Sequence, residues 1–185
     1  MLVTMAAVVQ QDAPRQGRTR LQEGTPQERS QTIVTACAIS IAAGFIHAVA
    51  MVDHFDHHWL YGVFFLVVTY FQVLWALWVY RHPGDHRALT AGAIVSLAIV
   101  AVWLVSRTVG TPVGPDAGDP ESVGAMDVVA TLDQLVLAGL IVTILKPTGQ
   151  VTRRMAWISG APSVRLGVML CSASLFAMLL GSHAH

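Results

Sequence analysis

Charge is what this chain has least of. Asp, Glu, Lys and Arg make up 12% of its 185 residues, against about a quarter of an average soluble domain. So little polar surface cannot cover one water-facing core, which excludes an ordinary soluble globule. Net charge is zero with the histidines neutral, so no basic field argues for nucleic acid. A single lysine, Lys146, stands among the basic residues beside heavy use of Ala and Val, the pattern of high-GC coding. The two cysteines, Cys37 and Cys171, lie far apart inside apolar runs and read as small buried hydrophobes. No nucleophile–base pair, nucleotide loop or cofactor motif is present, so an enzyme is not expected. Haem held by two histidines would need one deep histidine from each of two helices, and only His47 is deep.

What the chain has is apolar length. It is 54% hydrophobic, and a bilayer crossing needs about 20 apolar residues. Such runs occur at 31–52, 59–80, 88–106 and 125–145, the last interrupted by Asp127 and Asp133. A shorter one covers 166–181, preceded by an interfacial stretch with Trp157 as anchor and Pro162 as break. The expected fold is an all-α, polytopic transmembrane bundle of about five spans over residues 31–185. Residues 1–30 scatter Gln, Arg, Pro and Gly without a helical period and read as a disordered cytoplasmic tail. Met1 to Val9 carries neither the basic leader nor the cleavage site of a signal peptide.

Ten of the eleven basic residues fall in the N-terminal segment and in the second and fourth connections. The exception is Arg107. Short loops rich in Arg stay inside, so the N-terminus is expected inside and the C-terminus outside, in a bacterial cytoplasmic membrane. Six of the eight histidines then share the outer side.

On that side His47, Met51, His54 and His58 recur at i, i+4, i+7 and i+11, one stripe of a helix that continues past the membrane surface. His57, Asp53 and Asp56 flank it, and His183 and His185 end the chain on the same side. Neutral imidazole is the commonest metal ligand, and a thioether donor suits copper(I) better than zinc. His47, Met51, His54, His57 and His58 are therefore the expected ligands of a transition metal, copper or zinc. The plainer reading is a polar helix end whose imidazoles reach water.

The third connection alternates Gly and Pro closely enough to force successive tight turns and carries Asp116, Asp119 and Glu121. It reads as an ordered lid that sets carboxylates beside the imidazoles of the first connection. Arg107 at the end of the third span is expected to pair with Asp127 at the start of the fourth, with Glu121 the rival partner. Asp127, Thr131 and Gln134 share one face, whereas Asp133 is turned about 120° away. Gln72 and Thr69 form a polar pair in the second span. Interhelical hydrogen bonds, worth about 0.6 kcal/mol each, account for Gln72, Thr69 and Thr131. For Asp133 a functional role is favoured, because an acid near mid-span has few cheap structural uses.

The stretch Trp103–Asp127, with Ile46-His47, His54, Gly62-Val63-Phe64-Phe65-Leu66 and Gln72, resembles a group of small uncharacterised integral membrane proteins of high-GC bacteria. Its most specific part is the string Ser106-Arg107-Thr108-x-Gly110-x-Pro112-x-Gly114-Pro115. The resemblance covers most of residues 31–146 and implies a multi-helix membrane fold without an activity. Such proteins often carry Glu near the position of Gln134.

Three functions follow from these residues. The first is metal handling at the outer face. The second is a small proton- or ion-coupled transporter or accessory that uses the buried carboxylates. The third is a structural subunit of a membrane complex. The bilayer is the one partner expected in all three.

Overall fold

The computed structural model describes residues 26–146 together with Arg165, Gly167, Met169 and Leu170. Its four named helices are α1 (Pro26–His57), α2 (Trp59–Arg81), α3 (His86–Thr108) and α4 (Ala125–Leu145). All four are long and apolar enough to cross a membrane, as in a multi-pass membrane protein. The expected fifth span, 166–181, lies outside the described residues except for three of its positions. Residues 1–25 and the terminal His183 and His185 also lie outside them.

α1 starts at Pro26, inside the stretch expected to be an unstructured tail. Proline is well placed in a first helical turn, where its missing N–H has no partner to lose. At 1.5 Å per residue, α1 is about 48 Å long and overshoots the hydrocarbon core. The connection to α3 is short and built around Asp85. One carboxylate oxygen accepts the N–H groups of Arg87 and Ala88, and the other accepts the Trp78 indole N–H at 2.9 Å. The indole bond first, and then the N–H groups of α3's first turn, hold the Asp85 carboxyl below its ordinary range.

The helices form a ring. α1 packs on α2 and α4, α4 packs on α3, and α2 and α3 share the thinnest interface. Arg29, Arg81, Arg87 and Lys146 lie at one end of the ring, the basic end, with His82 and His86. The α1–α2 corner and the loop 109–124 lie at the other, the lid end.

The two ends are built differently. The apolar core gathers Ile33, Ala36 and Ile39 of α1, Trp75 and Val79 of α2, Leu89 of α3, and Leu137 to Ile144 of α4. Each of these lies in the half of its helix nearer the basic end. Trp75 is the wedge between α2 and α3: its indole N–H donates to the Ala88 carbonyl at 2.6 Å, and its ring covers Gly92. Leu170 packs against this core, and Gly167 lies against Thr35 of α1. Around mid-length, Thr69 Oγ1 donates to the Gly44 carbonyl at 3.3 Å, and Ser40 Oγ donates to that of Gln72 at 3.0 Å. The small residues of α1 allow this close approach to α2. Gln72, Asp133 and Gln134 are all buried near this depth. The Gln72 and Gln134 amides have no hydrogen-bond partner among the described residues. Beyond this polar layer the packing gives way to a cavity.

Candidate ligand cavity at the lid end

The cavity is bounded by the helix halves that the core leaves unfilled. α1 and α2 meet at a sharp corner because the chain breaks its helix at His58, which is extended (φ −161°, ψ 132°) and caps α2. His58 Nδ1 accepts the Leu60 N–H at 3.3 Å. His58 therefore does not continue the stripe of His47, Met51 and His54. The spacing held only for an unbroken helix, and α1 stops at His57. His54 Nδ1 donates to the Ala50 carbonyl at 2.7 Å, and its ring packs 4.2 Å from that of Phe65. Met51 is half-buried. His57 turns to the lid and bonds the Asp116 carboxylate. Among the described residues, no group of three or more His, Cys, Asp or Glu side chains is placed to hold a metal ion.

The lid is ordered by specific bonds. Gly110 (φ 78°) and Gly114 (φ 101°) adopt left-handed backbone conformations, which disfavour a side chain. A Cβ at Gly110 would also strike the backbone of Gly118 and Asp119, and one at Gly114 the Tyr61 hydroxyl. A single bridge pairs Thr111 with Ala117, and the Gly118 N–H donates to the Thr111 carbonyl at 3.0 Å. Tyr61 of α2 pins the loop from below. Its hydroxyl donates to the Val113 carbonyl and lies 2.9 Å from Thr111 Oγ1. The Glu121 N–H donates to the Ser106 carbonyl, closing the lid onto α3.

Arg107 joins lid, α3 and α4. Nη1 bonds Glu121, and Nη2 lies 2.8 Å from Asp127 Oδ2. The expected partner and its rival both hold it, because a guanidinium fork can serve two carboxylates at once. Asp127 Oδ2 also accepts the Gly124 N–H at 2.8 Å, an acid in the first turn reaching back to the start of its helix. The cluster of one Arg and two carboxylates carries a net charge of −1.

Under the lid lies a cavity of about 530 Å³, within the range of small-molecule sites. Apolar and aromatic side chains dominate its wall, among them Ile46, Phe64, Phe65, Ile99, Trp103 and Met126. Three polar atoms of its lining residues are buried without a hydrogen-bond partner among the described residues: His47 Nε2, Trp103 Nε1 and Arg107 Nε. His47 is only 5% exposed, and its ring lies 5.6 Å from Phe65. Buried polar groups almost always find partners; these three are set within the cavity's wall, shielded even from a molecule the size of water. Among its lining residues, Leu60 of α2, Val102 and Val105 of α3 and Val113 of the lid are exposed. α2 and α3 are the neighbouring helices that touch least.

Of the residues expected from sequence, the structure brings His47, His54, Arg107, Glu121 and Asp127 to this cavity. Gln72, Asp133 and Gln134 do not line it. Sequence reasoning gave no role to Tyr61 or to the indole of Trp103. The available signal was their place near helix ends, Trp103 shortly before the Gly/Pro-rich loop and Tyr61 just after the first connection, where a ring with a polar tip can face both wall and lid. No family profile, curated protein or solved structure matches the chain.

Proposed function

We propose that this is a protein of the bacterial cytoplasmic membrane that binds one lipid-soluble molecule in the cavity beneath its lid, taking it from the bilayer between α2 and α3. The observation that carries this reading is the largely apolar cavity beneath the lid. A strongly polar ligand would meet too few partners there. A mainly apolar molecule suits it.

The lid end faces outward in this reading, with the N-terminus inside. It is supported by the four basic residues at one end of the ring and by Arg107, which is neutralised by two acids, at the other. Reporter fusions in the 82–85 connection should signal inside and fusions at 115–118 outside. The reverse pattern would overturn the orientation.

Full-length protein purified in mild detergent should release about one lipid-soluble molecule per chain into organic solvent. Ala130→Phe, which places a ring in the cavity from α4, should weaken retention at least about tenfold, the equivalent of 1.4 kcal/mol. Equal extraction from both proteins would sink the reading. The rival proposal, copper or zinc at the outer face, draws support from the His57–Asp116 pair, an imidazole and a carboxylate brought together from different elements. Elemental analysis of untagged protein at one metal per chain, unchanged by Ala130→Phe, would favour it.

A further inference from the structure

The charged side chains on the cavity wall set the charge of its occupant, and this step rests on the reading of the cavity as a site for one mainly apolar molecule. We infer that the occupant is an organic monocation, an amine or quaternary ammonium on an apolar body, held beneath the lid by the carboxylates of Glu121 and Asp127.

Exposure decides which charge an occupant meets. Arg107, Glu121 and Asp127 all line the cavity. The Arg107 side chain is 12% exposed, against 35% for Glu121 and 32% for Asp127. The guanidinium is the covered member of the cluster, and the two acids are its open members. The three carry −1 together, so one positive charge beside them brings the sum to zero. An anion would add a second negative charge against an apolar wall, where like charges repel far more than in water. The surroundings carry the same sign. Among the described residues Arg107 is the one Lys or Arg at the lid end, while Asp53, Asp56, Asp116 and Asp119 add four acids to the two on the wall. A cleft surrounded by one sign of charge gathers ions of the other.

The rest of the wall sets the kind of cation. Its apolar side chains offer a metal ion nothing in exchange for its water, and among the described residues no three His, Cys, Asp or Glu are grouped to hold one. An organic cation brings apolar surface of its own, which the cavity can bury. Tyr61, Phe64, Phe65 and Trp103 line the cavity, and aromatic rings attract desolvated cations, quaternary ammonium groups among them. Two carboxylates and four rings around one apolar space suit a charge that is single, positive and poorly hydrated.

Delipidated full-length protein in an uncharged detergent is dialysed to equilibrium against three probes that share a phenylhexyl body and differ in the head. The heads are trimethylammonium, the tert-butyl group in which carbon replaces nitrogen, and sulfonate. Retention above that of empty micelles is the readout. The cation should bind at least about tenfold more tightly than the neutral probe, and the sulfonate least. Glu121→Gln and Asp127→Asn each make the cluster neutral, so each should weaken cation binding about tenfold and leave the neutral probe unchanged. The double variant leaves Arg107 unopposed and should prefer the sulfonate to the cation, a reversal that a merely loosened fold cannot produce. Asp119→Asn, which does not line the cavity, should change cation binding less than about twofold. Equal binding of cation and neutral probe by the wild type, or tighter binding of the sulfonate, would overturn the cation. A cation retained in full by Ala130→Phe would overturn it too, because the charge would then be held outside the cavity. In each case a neutral probe weakened by Ala130→Phe leaves the cavity reading standing. Binding of none of the probes would remove the cation, and the cavity as well if Ala130→Phe releases as much extracted material as wild type.

Discussion

Arg107→Ala releases the lid and costs the protein on the order of 3 kcal/mol. The Arg107 side chain is 12% exposed, while Glu121 and Asp127 are about a third exposed. Removing it leaves two carboxylates facing each other with the Gly124 N–H as the one remaining donor to Asp127. Breaking a buried pair costs about 3–5 kcal/mol, and the exposure of the acids puts this case at the lower end. Arg107→Lys should fall between, since an ammonium keeps the charge but lacks the fork that spans both acids. Glu121→Gln or Asp127→Asn alone should each cost about 1 kcal/mol, because the other acid still holds the guanidinium. The triple variant Arg107→Ala/Glu121→Gln/Asp127→Asn should be more stable than Arg107→Ala. Thermal unfolding in detergent and hydrogen exchange over 109–124 measure the two effects. A triple variant whose loss equals the sum of its parts would mean that the three side chains do not act together.

The second large effect lies at the opposite end of the bundle. A Cβ on Gly92 would overlap the Trp75 indole, so Gly92→Leu must drive that ring out of its seat. The ring is 6% exposed and donates to the Ala88 carbonyl. The variant therefore adds strain and breaks a buried bond, for a combined cost of about 2–4 kcal/mol. Because α2 and α3 touch so little elsewhere, separating them here should loosen the cavity wall that both helices form and speed ligand release. Trp75→Val in the same chain should recover part of the stability by vacating the space. Gly92→Leu with wild-type unfolding temperature and ligand off-rate would show that the wedge does not hold these helices together.

Much of the fold is legible in the chain itself. Four apolar runs of 19 to 22 residues mark four helices to within a few residues at most ends, because only a helix satisfies its own backbone in lipid. Both ends of α1 are the exception: the helix runs five residues past its apolar run at each, and Pro26 to Ser30 are polar and still helical, since a helix can run on into water beyond its apolar part. The lid was visible as a Gly/Pro string because positive φ angles need glycine. The partners of Arg107 were visible because charges near the membrane surface are few and each needs a counter-charge.

The histidine stripe shows where local periodicity stops. Spacing placed His47, Met51, His54 and His58 together on the assumption that α1 continues, and whether it does depends on how α2 folds back. One residue past the helix end, His58 points elsewhere. The cavity is a different kind of fact. Its wall draws on all four helices and the lid, residues up to 85 positions apart from Ile46 to Thr131, and no window of sequence contains it.

The sequence by itself determined that the chain is helical and suited to a membrane, and that its basic residues and most of its histidines would fall in different connections. Those properties follow from composition and from periodicity along one helix. The tertiary structure alone decided that the basic half of the bundle is packed and the lid half is hollow. It alone brought His47 of α1 and Trp103 and Arg107 of α3 into the wall of one apolar space. A void is the difference between how far four helices diverge and how much volume their side chains fill, and neither quantity is a property of any one segment.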